Sequence, residues 1–347
     1  MTDDEVPIHA APAERVGDEP RIAGPTVLVH PDGTLNPAAV GWAPQPIIDT
    51  SGLGAGRGRN KRWEYWNVVT PTHILAATVS SIDYACVPEV WVFDRETGQE
   101  WGKAGAVIPP RGAELAPTLE RGASSMRSAG LSIDIDEVPG GTRVRAEIEG
   151  VSFDVIASLP EGHERLALVV PWSERRFQYT VKDVARPATG TLTVGGAVTD
   201  LPAGESWAVL DHGRGRWPYS IAWNWGAGSG RACGRVIGVQ VGARWTAGTG
   251  VSENAFFVDG VMHKIHGETA WEYDLDHWRR PWRVRGGGLD AVFTPFHVKR
   301  SRTNLGVLAG RTDQCFGEWA GTFRTAAGEE ICFEGITGWA EDVRNRW

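Results

Sequence analysis

Asp211, His212, Arg214 and Arg216 put a carboxylate, an imidazole and two guanidinium groups within six residues, spaced by Gly213 and Gly215. A simple turn does not require that density of charge. A carboxyl group in apolar surroundings can keep its proton and give it to an alkene or enol ether, or lose it and act as a base. Asp211 and His212 are therefore the candidates for catalytic acid/base chemistry. An ion pair between Asp211 and a neighbouring arginine would explain the same residues as a structural lock. Arg214 and Arg216 can clamp the carboxylate or phosphate of an amphipathic ligand through paired N–H groups, or brace Asp211.

From Trp217 to Trp225 every odd position is large and apolar or aromatic, and every even one is small or polar. That is the period of a half-buried strand, and it predicts that Trp217, Tyr219, Trp223 and Trp225 share one wall. Such rings line a ligand pocket or stabilise a cation through their π faces, at about 0.5–2 kcal/mol each. The competing use is to fill a barrel core, which is what small barrels do by default. Trp63 and Trp66, in Arg62-Trp63-Glu64-Tyr65-Trp66, carry the same alternatives, and Trp245 closes an alternating run through Ile237, Val239, Val241 and Ala243. Glu253 and Asn254 are a pair of cavity residues or the polar end of a strand. His263 and His266 lie in strand context, where positions three apart face opposite sides, so they do not chelate one ion. With no third ligand at a useful spacing, no metal is expected. The glycines at 52, 54, 56 and 58 have no strand before them and no helix after, which removes a dinucleotide fold, and no cofactor is expected.

The elements that must position these groups read as strands throughout. Val90 to Phe93 runs into a turn at Asp94–Gly98. The pairs around Pro139-Gly140-Gly141 and Asp259-Gly260 read as hairpins, and strands recur at roughly ten-residue spacing as far as Ile336. The fold class is all-β: two antiparallel, lipocalin-like β-barrel domains packed together with very little helix, because closed or nearly closed barrels dispose of exposed edges. The expected layout is a tail and wrapping segment over 1–56, an N-terminal barrel over 57–200 and a C-terminal barrel over 201–347.

Composition narrows the partners. There are 35 basic against 43 acidic residues and a net charge of −8, which argues against nucleic acid or an anionic membrane surface. With 17 Trp against 3 Met, the interior is unusually rich in rigid π surface. The four cysteines, at 86, 233, 315 and 332, show no paired spacing and read as buried reduced thiols. The acidic start has no apolar leader, and no run is long enough to span a membrane, so a cytoplasmic location is expected.

Several segments together resemble one family. They are Arg62-Trp63-Glu64-Tyr65-Trp66, Phe93-Asp94-Arg95 with Gly98, Val170-Pro171-Trp172, Tyr179-Thr180-Val181-Lys182, Asp211 to Tyr219, Ser252-Glu253-Asn254-Ala255 with Asp259-Gly260, and Glu341 with Trp347. The family is DUF2804, and the resemblance runs from about residue 57 to the end. It implies a fold like that of the lipocalin-related two-barrel proteins, among them carotenoid 1,2-hydratases and the AttH group, and it transfers no catalytic residue. The expected function is cofactor-independent acid/base chemistry, of hydratase, isomerase or cyclase type, on a hydrophobic molecule such as an isoprenoid, polyketide or fatty acyl derivative. Asp211 would be the proton donor. The alternative is a non-catalytic binding protein for a hydrophobic or amphipathic ligand.

Overall fold

The computed structural model describes residues 19–54, 60–304 and 309–346. The acidic start over 1–18, the glycine and arginine positions at 55–59, and Trp347 lie outside these residues. Strand accounts for 63% and helix for 1%, so the β period seen in the sequence governs the whole architecture. The Asp259-Gly260 hairpin forms with both residues at positive φ and Val258 opposite Val261, the geometry that selects this dipeptide.

Two antiparallel sheets curl into half-barrels. From edge to edge the first runs Glu100–Ala104, Glu89–Asp94, His73–Ser81, Asn60–Val69, Trp207–Arg216, Arg176–Val194, Val151–Ser158, Gly141–Ile148, Leu131–Val138, Ser124–Ser128 and Ala113–Glu114. A side strand, Leu166–Ser173, pairs with Arg176–Val194 and is covered in turn by Gly41–Ala43 from the N-terminal wrap. The second runs Val261–Lys264, Ala255–Val258, Arg235–Ala243, Ser220–Ala232, Glu330–Arg346, Ala309–Arg324, Leu289–Asn304, Trp282–Gly286 and Ala270–Glu272.

The chain passes from one sheet to the other between Arg216 and Ser220. Trp207–Arg216, grouped with the second half by the expected division at 200, hydrogen-bonds into the first sheet between Asn60–Val69 and Arg176–Val194. The crossing also breaks the strand expected over 217–225. Pro218 has no N–H to give a ladder, Trp217-Pro218-Tyr219 leaves the strand, and Tyr219 is 45% exposed, away from the wall assigned to it.

Because side chains alternate along a strand, each sheet buries two faces. One core fills the first half-barrel, with Trp66, Leu75, Ile133, Val155, Tyr179 and Leu210 among its members. Another fills the second, around Phe256, Trp278, Trp282, Phe293 and Trp319. A third lies between the sheets and draws on both: Tyr65, Trp91, Leu168, Val209, Trp217, Trp225, Trp245 and Trp339. The cysteines divide in the same way. Cys86 and Cys315 are buried as expected, whereas Cys233 and Cys332 are exposed, the first in the turn after Ala232 and the second facing outward between Ile331 and Phe333.

Candidate active site

The strands Arg176–Val194, Trp207–Arg216 and Asn60–Val69 lie side by side, with Lys182 opposite Asp211 and Asp211 opposite Tyr65. This register turns Thr180, Lys182, Asp211 and Trp63 toward the space between the sheets. Thr180 Oγ1 donates to Asp211 Oδ1 at 2.9 Å, the Lys182 ammonium lies 3.0 Å from the same oxygen, and Trp63 Nε1 donates to Oδ2 at 3.1 Å. Asp211 is buried and is held entirely by donors.

The second sheet brings two more carboxylates to the same space. Glu253 Oε2 is 3.3 Å from Lys182 Nζ, and its Oε1 accepts the indole N–H of Trp245. Glu341 Oε1 accepts from Trp223 Nε1 at 2.9 Å. The Lys182 ammonium also sits 4.1 Å from the centre of the Trp225 ring, a cation–π contact between two buried groups. Two of these buried carboxylates share the Lys182 ammonium, and all three take an indole N–H. A dry site cannot hold that much negative charge ionised. Burial, only partly offset by Lys182, pushes both Glu253 and Glu341 up to about 7. For Lys182, burial works against the charge, but Asp211 and Glu253 more than compensate and hold it above its ordinary value.

The indoles touch one another around Trp217. Its ring is 5.6 Å from Trp63, 5.3 Å from Trp172, 5.7 Å from Trp223 and stacked at 5.7 Å on Trp245. Trp63, Trp172 and Trp223 are only half-buried, so the cluster reaches the surface on that side. Two glycines make this packing possible by close approach. A Cβ on Gly213 would lie 2.2 Å from the Trp63 indole, and one on Gly242 would lie 1.9 Å from Glu253 Oε1. Gly213→Ala is therefore expected to cost about 1–3 kcal/mol and to displace the Trp63–Asp211 bond. Urea denaturation checks this, and an unchanged midpoint would mean that the indole does not lie across residue 213.

The other residues singled out in the sequence sit elsewhere. His212, one step from Asp211, points into the first half-barrel, where its ring lies 3.7 Å from Glu64, too far for a hydrogen bond, and 6.1 Å from the ring of Tyr179. Burial and the neighbouring Arg214 push it down to about 4, so it is neutral. Arg214 is buried on that same inner face, donating to Trp63 O and Ala116 O at 2.9 Å and pairing with Glu64 at 3.2 Å. Trp66 belongs there too, under Arg186 at 5.3 Å. Arg216 reaches Asn60 and the Gly33 carbonyl of the N-terminal wrap. Asn254 bonds Gly242 N and Gly267 O at the strand end. Lys182 and Glu341 were not among the sequence candidates. For Lys182 the signal was present: a lone lysine inside the strand pattern Phe177, Tyr179, Val181.

The family model for the domain of unknown function DUF2804 matches residues 19–347. The chain belongs to the DUF2804 family. The match starts at residue 19, well before the expected position near 57, so the wrapping segment is part of the family domain. Its strand Gly41–Ala43 pairs with Leu166–Ser173, and Glu19 accepts from Ser252 N and Oγ beside Glu253. No curated protein matches this DUF2804 chain. Among solved structures it is similar to CghA, with TM-score 0.53 and 12% identity over 83% of this chain and 88% of that one. It is also similar to kievitone hydratase from Nectria haematococca, at 0.49 and 11% over 86% and 95%, and to an AttH-like protein from Nitrosomonas europaea, at 0.48 and 13% over 82% and 92%. The likeness to CghA establishes the two-sheet fold of this DUF2804 protein.

Proposed function

We propose that this protein is a cofactor-independent acid/base enzyme, of hydratase, isomerase or cyclase type, acting on a hydrophobic or amphipathic small molecule between the two sheets. The observation that carries the reading is the pair of glutamates, Glu253 and Glu341, poised near neutrality beside the Lys182–Asp211 pair and walled by indoles. A general acid works best with a pKa near the working pH, and burial with like charges nearby is how a carboxyl group reaches that value.

Asp211 was the donor expected from the sequence. Asp211 already accepts from three donors, so the proton is assigned to Glu253, which is buried with its Oε2 3.3 Å from the Lys182 ammonium and is pushed up to about 7 by burial. In a hydration, Glu253 gives its proton to one alkene carbon, water bonds to the other, and the water's spare proton returns to the carboxylate. In an isomerisation the return proton comes from a neighbouring carbon. The π faces of Trp217, Trp223, Trp225, Trp245 and Trp63 favour the cationic species between the two transfers. Lys182 lies 3.0 Å from Asp211 at the same end of the site. A cytoplasmic setting and a ligand of isoprenoid, polyketide or acyl type remain part of the proposal. No helix among the described residues is long and apolar enough to cross a membrane.

Native mass spectrometry of the purified protein identifies a co-purifying hydrophobe. Incubating that compound with the protein in D2O is expected to place deuterium on carbon. Recovery of the compound without deuterium, still bound, would replace the enzyme reading with that of a binding protein.

A further inference from the structure

An open depression of 640 Å³ on the second sheet is lined by His277, Trp278, Arg279, Arg280, Val298 and Arg300. Its lining has three guanidinium groups and an imidazole but no carboxylate, on a chain whose net charge is −8. Trp278 is buried and belongs to the core of the second half-barrel. Its ring is fixed by Trp282 at 5.7 Å and Tyr273 at 6.2 Å, with the Arg311 guanidinium 5.5 Å from its centre. It forms a rigid aromatic floor.

Arg280, Arg300 and His277 pair with carboxylates outside the lining. Asp274 takes Arg280 at 2.6 Å and His277 at 3.0 Å. Asp313, fully buried, lies 3.6 Å from Arg300 and also pairs with Arg302 and Arg311. Among the described residues Arg279 makes no ion pair. Arg279, Arg280 and Arg300 are all exposed around this depression. Several forks around one depression suit a multiply charged oxyanion better than a single carboxylate, which one fork satisfies. An indole beside them suits a flat or apolar body attached to that anion. The acidic chain as a whole argues against a nucleic acid track.

We propose that this depression binds a small organic phosphate, with the phosphoryl group on Arg279, Arg280 and Arg300 and its organic part on Trp278. The site is separate from the carboxylate cluster between the sheets and does not depend on the chemistry assigned there.

Calorimetric titration of the full chain at low salt, with phenyl phosphate, inorganic phosphate and benzoate as probes, tests the assignment. Phenyl phosphate is expected to bind one to one, and both inorganic phosphate, which lacks the ring, and benzoate, which lacks the second charge, to bind about tenfold more weakly or worse. Raising salt should weaken the phosphate binding. Arg279→Ala with Arg300→Ala should weaken it at least about tenfold while circular dichroism and melting stay unchanged. Should the double variant fail to fold, Arg279→Glu alone, at an exposed position, must show the same loss. No saturable binding of phenyl phosphate, equal binding of benzoate, or binding that survives the arginine substitutions would overturn the proposal.

Discussion

Lys182→Met lowers the stability of the folded chain by about 3–5 kcal/mol, the size expected when one partner of a buried pair is removed. The substitution keeps the apolar stem but deletes the ammonium within 3.3 Å of both Asp211 and Glu253, leaving two buried carboxyl groups without it. The loss should be larger at pH 8 than at pH 5, because protonated carboxyl groups no longer need the cation. Adding Asp211→Asn should restore part of it, since an amide carries no charge to compensate. Denaturant unfolding of the three proteins at both pH values measures all of this. A single variant within about 1 kcal/mol of the parent would mean that Lys182 is reached by water and that the cluster is not dry.

Glu253→Gln is expected to reduce turnover of the identified substrate by about 10²–10⁴-fold, the usual contribution of a positioned general acid, with binding retained. It should also remove the limb of the rate–pH profile near 7, where Glu253 titrates. Stability moves the opposite way. The folded pKa of Glu253 is raised from 4.5 to about 7, so between these values the unfolded chain has lost its proton while the folded chain keeps it. Parent stability therefore falls as pH rises through that window. The glutamine removes this dependence, and the variant should gain on the order of 1 kcal/mol relative to the parent above pH 7. Turnover with an unaltered pH profile would assign the proton elsewhere, with Glu341 as the next group to replace.

Much of the candidate site's composition was legible along the chain. Asp211, Trp63, Trp217, Trp223, Trp225, Trp245 and Glu253 were all marked as candidates, and all face the space between the sheets or its rim. The placement of His212 was also open to reading, because neighbours in a strand point to opposite faces. The alternation read from the sequence began at Trp217 and left Asp211 and His212 in a charged head, so their opposite faces on Trp207–Arg216 went unread. Tyr219 failed for a different reason. Its alternation with Trp217 and Trp223 was formally correct, but Pro218 falls where the chain leaves one sheet for the other, and a period says nothing about where a strand stops.

The alternation of apolar and polar side chains, with Asp-Gly and Gly-Gly turns between runs, was enough by itself to determine an all-β chain of two halves, because strand period and turn conformation are local properties of the backbone. Which faces meet was decided only by the tertiary structure. Lys182, Asp211, Glu253 and Glu341 come from four separate strands or loops, and they gather only when two curled sheets close face to face. Charge compensation and desolvation are set by that enclosure, so whether a carboxyl group is an ordinary anion or a proton donor at neutral pH depends on neighbours far along the chain, Lys182 for Glu253 and Trp223 for Glu341.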